Sequence, residues 1–129
     1  MKDLHNNMTA VAAIAPAVKT DAENGAAIDL RGFGSAEIVV QTGAIAGAGD
    51  FGFKLQHSHT TTSGDFVDVP AADLLGTAPA DGMTENTVYR IGYVGPRRYI
   101  RVATLDNGGT SVVIGATAIL GHPAVAPVA

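Results

Sequence analysis

The strongest constraint on the fold comes from residues 87–104, TVYRIGYVGPRRYIRVAT, where two alternating runs flank a Gly-Pro pair. Because successive side chains of a strand point to opposite faces of a sheet, this period of two predicts a β-strand on each side of the pair. Glycine and proline together favour a turn, so the whole segment is predicted to form a β-hairpin. The three tyrosines of the chain and four of its five arginines lie here, which makes it the most chemically distinctive surface.

The rest of the chain repeats this pattern of short alternating runs separated by turn residues. The further predicted strands are residues 26–31, 35–42, 51–58, 66–69 and 110–120. A single helical turn is expected at residues 71–75, ahead of a glycine. About seven or eight short antiparallel strands at even spacing are typical of an all-β fold, either an antiparallel β-sandwich or a jelly-roll-like barrel. At 129 residues the chain is expected to form one such domain, at residues 25–121.

Both ends of the chain are predicted to be extended arms outside the sandwich. Residues 1–24 are small and apolar, have no clean helical period and are interrupted by a proline, which argues against a helix. Residues 122–129 contain two prolines and favour an extended tail. The N-terminal arm is expected to contact a partner through Val11, Ile14 and Val18.

Composition excludes several classes of function. The formal charge of −4 comes without long runs of one sign, so no nucleic-acid partner is expected. No stretch approaches the roughly 20 apolar residues of a membrane span, and no membrane partner is expected. The chain has no cysteine, which excludes disulfides and thiolate metal sites. Charged residues make up 16% of the chain, against about 25% in ordinary soluble domains, which indicates that something other than water covers part of the surface.

The side chains that could carry chemistry do not form a recognisable active site. His57 and His59 share one strand face and could bind a metal, but the spacing indicates no third ligand, and their parity predicts that they rim the core. Ser58 or Ser63 could be combined with His59 and Asp65 into a hydrolytic set, yet no nucleophile elbow or oxyanion loop accompanies them. No glycine-rich segment opens a predicted helix. The prediction is a protein that is not an enzyme, with no catalytic residue, no metal and no cofactor.

The arginines of the predicted hairpin are the strongest candidates for a contact surface. Arg90, Arg97, Arg98 and Arg101, with Tyr99, are predicted to dock onto acidic or polar groups of a partner. The reason is that arginine forms bidentate contacts with carboxylates and stacks on aromatic rings. Tyrosine and arginine are also favoured as interface anchors. The alternative is a solvated outer face, on which each ion pair contributes less than about 1 kcal/mol. The sequence leaves both interpretations open.

Four stretches of the sequence together carry a family resemblance. They are IDLRGFGSAEIVVQTG, FGFKLQHSHTTTSGDFVDV, the AADLLG turn and YRIGYVGPRRYIRV, preceded by the short apolar arm. This pattern resembles small structural proteins of tailed bacteriophages, in particular the head decoration, or cement, proteins encoded beside the major capsid protein. The resemblance covers most of the chain from Ile28 to His122, and residues 91–102 are its most specific part. It names no catalytic residue.

The resemblance implies a structural virion protein that binds the outside of a phage capsid and stabilises it. Its partners would be the major capsid protein and further copies of itself, commonly as a homotrimer at local three-fold positions of the shell. It would be made in the host cytoplasm and reside on the capsid surface of the virion. Two other roles stay open: a phage tail or head–tail connector subunit, and a glycan-binding β-sandwich module. The loops HTTTSGD and GTAPADGMTEN contain no aromatic residue, which disfavours a glycan platform.

Overall fold

The computed structural model describes residues 2–125 and 127. These residues form nine β-strands and three short 3-10 turns. The strands are β1 (Met8–Lys19), β2 (Ile28–Asp29), β3 (Phe33–Ala46), β4 (Phe51–Ser58), β5 (Val67–Asp68), β6 (Leu74–Leu75), β7 (Val88–Tyr93), β8 (Tyr99–Asp106) and β9 (Ser111–Pro123). The turns are His5–Asn7, Ser63–Asp65 and Ala71–Asp73. Within the described residues there is no α-helix, and so none that could cross a membrane.

The nine strands form two antiparallel sheets. The larger sheet has the order β1-β9-β3-β7-β6 and the smaller sheet the order β2-β8-β4-β5. Four nested pairs account for this arrangement: β1 with β9, β2 with β8, β3 with β7, and β4 with β5. A long antiparallel hairpin folded over on itself produces this nesting, which is the strand order of a jelly roll with the short β6 added at one edge. The predicted all-β antiparallel sandwich is therefore confirmed.

The core lies between the two sheets and is built from alternate residues of the long strands. On β3, Ile38 and Val40 are each 0% exposed, while Val39 between them faces outward. The predicted strand at residues 51–58 is β4, and its phenylalanines face the core as predicted. Each such side chain contributes about 1.5–3 kcal/mol relative to an exposed position. The largest fully buried side chains are Phe51, Phe53, Ile28, Ile38, Ile91, Ile100, Ile114 and Leu120.

The prediction of a hairpin at residues 87–104 is wrong, although both of its strands exist. β7 pairs with β3 and β6 in the larger sheet, whereas β8 pairs with β2 and β4 in the smaller one. The connection at residues 94–98 therefore crosses from one sheet to the other. The physical reason is that β7 and β8 each have other strands to pair with. β8 pairs along its whole length with β4, from Phe51↔Asp106 to Ser58↔Tyr99.

The N-terminal segment differs from the predicted extended arm outside the sandwich, because most of it pairs within the larger sheet. β1 pairs antiparallel with β9 from Met8 to Lys19, with one register shift on each side of Ile14. Pro16 falls in the second shift of this edge strand, where its missing N–H costs no ladder hydrogen bond. The small apolar residues of this segment thus form a sheet strand within their own chain.

The C-terminal end also begins inside the sheet. β9 continues to Pro123, which pairs with Phe33 on β3, so the predicted domain boundary after residue 121 lies within this strand. Beyond it, the N–H of Ala124 donates to the carbonyl oxygen of Gly32 at 2.8 Å. Of the two predicted arms, residues 1, 126, 128 and 129 lie outside the described residues.

The connection from β1 to β2 passes through a narrow gap at Gly25. The N–H of this residue donates to the carbonyl oxygen of Val102 at 2.6 Å, and the N–H of Ala26 donates to the carbonyl oxygen of Ala13 at 3.2 Å. A Cβ atom at position 25 would lie 2.9 Å from the Val102 oxygen and closer still to that of Ala13. These oxygens belong to β8 and β1, so neither can move without shifting a strand.

Gly25→Ala is expected to lower the free energy of unfolding by about 1–3 kcal/mol, because it overpacks this gap. Urea unfolding followed by circular dichroism measures the change. Gly64→Ala is the matched control, since a Cβ atom there meets no heavy atom within 4 Å. The control should leave stability within about 0.5 kcal/mol of the wild type. Equal stability of the two variants would contradict the packing described.

Candidate partner-binding surfaces

The structure separates the four arginines that the sequence places on one segment. Arg90 lies on the outer face of the larger sheet, with 79% of its side chain exposed. Arg101 lies on the outer face of the smaller sheet, because β8 belongs to that sheet. Arg97 and Arg98 lie in the connection between the sheets, beside Tyr99 at the start of β8. Of the five predicted contact residues on this segment, these last three stay together.

The prediction that Arg101 contacts a partner is corrected by its burial. The residue is 7% exposed, and its guanidinium lies 4.4 Å from the ring centroid of Phe66, a favourable cation–π distance. Its Nε donates to Oε1 of Gln56 at 2.8 Å, and its Nη1 donates to the hydroxyl of Ser63 at 2.9 Å. Arg101 therefore fixes the loop after β4 onto the smaller sheet and does not reach outward.

Arg98 is held by the carboxylate of Asp29 on β2. Its Nε and Nη2 donate to the two carboxylate oxygens at 2.9 and 2.8 Å, and its guanidinium lies 5.0 Å from the ring centroid of Tyr99. The hydrogen bonds from Arg98 lower the pKa of Asp29 to about 2, and the N–H of Arg31 adds to the effect. Both side chains of the ion pair are 44% exposed. Solvent therefore screens the pair, which contributes no more than about 1 kcal/mol.

The hydroxyl of Tyr93 organises the connection between the sheets. Tyr93 and His57 are 4% and 3% exposed, and their rings meet edge to face with centroids 5.7 Å apart. The Tyr93 oxygen accepts the N–H of Arg97 at 3.1 Å and lies 2.8 Å from Nδ1 of His57. Donation of the hydroxyl proton to Nδ1 satisfies all three groups and leaves the imidazole neutral. Burial lowers the pKa of His57 and raises the pKa of Tyr93, which favours both neutral forms.

A cleft of about 540 Å³ opens beside this connection, between residues 93–98 and residues 30–36. It is called the arginine cleft here because Arg31, Arg97 and Arg98 line it, together with His59. Among the described residues that line the cleft there is no aspartate or glutamate, although the whole chain carries a formal charge of −4. The cleft is therefore a local excess of positive charge on an acidic protein.

Two residues of the arginine cleft, Arg31 and His59, are not among the contact residues that the sequence predicts. Arg31 follows β2 and His59 follows β4, and both are remote in sequence from residues 93–98. They come close because β2 and β4 flank the same end of β8, where Tyr99 pairs with Asp29 on one side and with Ser58 on the other. No local pattern signals this convergence, since it depends on the register of three strands.

The outer face of the larger sheet is a second exposed surface, and it carries little charge. Glu37 and Arg90, 3.9 Å apart, are the charged side chains that its strands direct outward within the described residues. Most of the other outward residues are small or apolar, with Gln41 and Thr117 as uncharged polar exceptions; the apolar ones include Ala10, Ala12, Val18, Val39, Leu75, Val88, Val113 and Ile119. Three of them are largely exposed: Val18 at 63%, Leu75 at 62% and Val88 at 58%. Apolar side chains exposed together on one face of a sheet are typical of a protein–protein contact.

The outer face of the smaller sheet is polar and satisfied within the chain. Nζ of Lys54 lies 2.9 Å from Oδ1 of Asp68, and the side-chain amide of Gln56 donates to the same oxygen at 2.9 Å. The loop after β4 packs over this face, with Phe66 against Arg101. The two outer faces therefore differ: that of the larger sheet is mainly apolar, and that of the smaller sheet is polar and internally paired.

Of the three N-terminal contact residues predicted, the structure exposes two. Ile14 is 3% exposed because it points into the core opposite Ala116, so the prediction of a partner contact there is corrected. Val18 is 63% exposed on the outer face of the larger sheet, and Val11 is 39% exposed at its edge.

The histidines and serines considered for chemistry serve turn and core structure. His57 faces the core at the end of β4, as its parity predicts, whereas His59 is exposed in the following turn. Oγ of Ser58 accepts the N–H of Thr60 at 3.0 Å, and Asp65 accepts the hydroxyl proton of Thr60 at 2.7 Å. Across the part of the chain that the structure describes, no three His, Cys, Asp or Glu side chains are grouped so as to hold a metal ion.

No protein-family model matches this sequence, and no curated protein sequence matches it. Among solved structures, the chain is similar to the SPBc2 prophage-derived protein YomS, with a TM-score of 0.49 and 14% identity over 88% of this chain and 92% of that one. It is similar to a chain of infectious bursal disease virus, Gx strain, with a TM-score of 0.45 and 14% identity over 89% of this chain and 32% of that one. PirA has a TM-score of 0.35, with 13% identity over 95% of this chain and 99% of PirA. At these values the similarities carry no argument about the role of this chain.

Tyr93→Phe is expected to lower the free energy of unfolding by about 1–3 kcal/mol, since it leaves Nδ1 of His57 and the N–H of Arg97 without their partner. Thermal and urea unfolding measure the loss. Tyr99→Phe is the matched control, because it keeps the ring beside which Arg98 lies. A loss of under about 0.5 kcal/mol in both variants would show that the Tyr93 hydroxyl does not hold the connection.

The protein is expected to become less stable as the pH decreases, because of His57. Burial, aided by the charge of Arg97, lowers the pKa of His57 below its usual 6.5, so the unfolded chain takes up a proton at a higher pH than the folded chain. The free energy of unfolding should therefore be constant above about pH 6.5 and decrease by up to about 1.4 kcal/mol per pH unit below it, until the folded state also titrates. Urea midpoints between about pH 7 and about pH 5 measure this slope.

Two variants test whether His57 causes this pH dependence of the free energy of unfolding. His57→Gln should flatten the pH dependence in this window, whereas His59→Gln, at an exposed position, should retain it. An unchanged slope in His57→Gln would place the titrating group elsewhere.

Proposed function

We propose that this chain is a structural protein of a phage virion, which binds the outer surface of the capsid and stabilises it as a decoration protein without catalytic activity. In this proposal it acts as a homotrimer that bridges copies of the major capsid protein at local three-fold positions of the shell. The proposal starts from the resemblance of the sequence to head decoration proteins. The observation that carries it is the contrast between the outer faces of the two sheets.

The outer face of the larger sheet has the character of a buried surface. Its strands direct apolar side chains such as Val18, Leu75 and Val88 into solvent, with one ion pair between Glu37 and Arg90. An apolar surface that stays in water costs about 25 cal/mol per Å², so its presence is most simply accounted for by a partner that covers it. The outer face of the smaller sheet does not require a partner to cover it, because its polar side chains are paired within the chain.

The dimensions of this face suit a specific interface. The strands β1, β3 and β9 are 12, 14 and 13 residues long. At about 3.3 Å per residue and about 4.8 Å between strands, the three together present roughly 40 Å by 14 Å, or about 600 Å². Each partner in a standard protein–protein interface contributes about 800 Å². The face therefore supplies most of one such contact.

A protein of this kind stabilises a shell by adding contacts between neighbouring subunits. Many copies on one shell, each joined to its neighbours through a trimer, convert modest individual affinities into a strong combined hold. Such a role requires exposed contact surface and a rigid core. It requires no chemistry.

Val88→Lys and Val67→Lys form a matched pair that tests the proposal. Val88 is 58% exposed on the outer face of the larger sheet, and Val67 is 46% exposed on β5 of the smaller sheet. Shells of the major capsid protein, prepared without this chain, are sedimented with each variant. Val67→Lys should bind like the wild type, whereas Val88→Lys should bind at least about tenfold more weakly, because it carries an unpaired charge into the contact.

Four outcomes would overturn parts of the proposal. Failure of the wild-type protein to sediment with shells, or equal binding of the two variants, would remove the capsid contact or its assigned face. Cryo-electron microscopy of particles should show density over the local three-folds, and density confined to a tail or portal ring would establish the connector role instead. Light scattering that shows a monomer at assembly concentration would remove the homotrimer.

A further inference from the structure

We propose that the arginine cleft binds a carboxylate group on an extended acidic segment of a partner protein. The inference is independent of the capsid assignment, because the cleft is a property of the isolated chain. It is carried by the charge of the cleft, by the absence of internal partners for two of its cations, and by the fixed position of both walls.

The charge of the cleft is neutralised from within only in part. Arg98 is already paired with the carboxylate of Asp29 through a bidentate contact. Arg31 and Arg97, by contrast, form no ion pair with any described residue, and both line the cleft together with His59. Arg97 as a residue is half-buried. Two unpaired guanidinium groups at one cleft are the arrangement that favours a bidentate oxyanion.

The wall that carries Arg97 is fixed by the core. The backbone N–H of Arg97 donates to the Tyr93 hydroxyl at 3.1 Å, and that hydroxyl is held in turn by the buried His57. The Arg97 side chain itself is not used in this network. Its backbone is therefore placed in advance, and a ligand needs to order only the side chain.

The wall that carries Arg31 is fixed by the same carboxylate that holds Arg98. Oδ1 of Asp29 accepts the N–H of Arg31 at 3.0 Å as well as the Nε–H of Arg98 at 2.9 Å. The N–H of Leu30 donates to the carbonyl oxygen of Arg98 at 2.8 Å, which joins the two walls directly. Gly32 follows with φ +90°, a conformation that lets the chain turn sharply around the cleft. Asp29 thus sets the separation of the two walls and leaves Arg31 and Arg97 available.

The lining favours a peptide carboxylate over the other anions. Leu30, Phe33, Val94 and Pro96 contribute apolar surface, which suits the stem and backbone beside an acidic side chain more than a free inorganic ion. The volume of about 540 Å³ accommodates a short extended segment. A nucleic acid would need a longer track of cations, and the net charge of −4 repels a polyanion.

Titration of the isotopically labelled protein with an acidic peptide tests the inference. The probe is an end-blocked pentapeptide of alternating glycine and glutamate, and the same peptide with glutamine is the neutral control. Chemical-shift changes should saturate and should centre on the amides of Gly32, Gly34 and Arg97. Arg97→Gln is expected to weaken binding about tenfold, and Arg31→Gln to a similar extent, because each loses a charge-assisted contact. Arg90→Gln removes the same charge from the outer face of the larger sheet and should bind like the wild type.

Each remaining outcome would overturn the inference. Equal shifts with the glutamine peptide would exclude recognition of a carboxylate. Equal affinity of Arg97→Gln and Arg90→Gln would show that net charge, and not the cleft, attracts the peptide. Displacement of the peptide by inorganic phosphate at a lower concentration than by acetate would assign the cleft to phosphate, and tighter binding of a single-stranded oligonucleotide would assign it to nucleic acid. The sedimentation assay with Val88→Lys does not depend on the peptide titration, so the two proposals can fail separately.

Discussion

The pairing of β9 with both β1 and β3 is the constraint on which the rest of the structure depends. A strand between two neighbours satisfies its backbone groups only when both are present, so the two ends of the sequence have to meet before the larger sheet is complete. The inner side of the same strand supplies Val112, Ile114 and Leu120 to the core, each at most 2% exposed. With β1 and β9 paired, the pairs β2–β8 and β3–β7 follow inward along the chain. The connection between β7 and β8 then has to cross between sheets.

The same strand explains where the shortage of charge is located. A run that is apolar on both faces, as residues 110–120 are, has one side in the core and the other on the outer face of the larger sheet. Val113 and Ile119 lie on that outer side between small residues of β1 and the outward side of β3. The charged residues that make up 16% of the chain are therefore not spread evenly, because the five-stranded face holds few of them. Low overall charge in this protein is a property of one face.

The sequence was sufficient to predict where the strands lie along the chain, but not which sheet each strand belongs to. Alternation is local, so it predicted β4 at its observed bounds and both strands of the segment at residues 87–104. Sheet membership depends on long-range pairing. The Gly-Pro sequence is compatible both with a turn that returns within one sheet and with a connection that crosses to the other sheet. For this reason the prediction grouped Arg90 and Arg101 with Arg97, although the crossing sends them to opposite faces of the sandwich. It missed Arg31 for the same reason, since only the register of β2 against β8 brings this residue to the cleft.

The two candidate surfaces adjoin at one end of the outer face of the larger sheet. Ser35, Ala36, Tyr93 and Val94 line the arginine cleft and also a hollow of about 470 Å³ at the adjoining end of the outer face, which includes Leu75 and Ile119. An apolar sheet face supplies affinity but does not fix the direction in which a partner lies, because dispersion and desolvation have little directionality. A partner that covered the face and also placed a carboxylate at Arg31 and Arg97 would be held in one orientation. The crossing between β7 and β8 places this charge at the end of the apolar face, whereas a simple hairpin would have kept Arg90, Arg97 and Arg101 in one sheet.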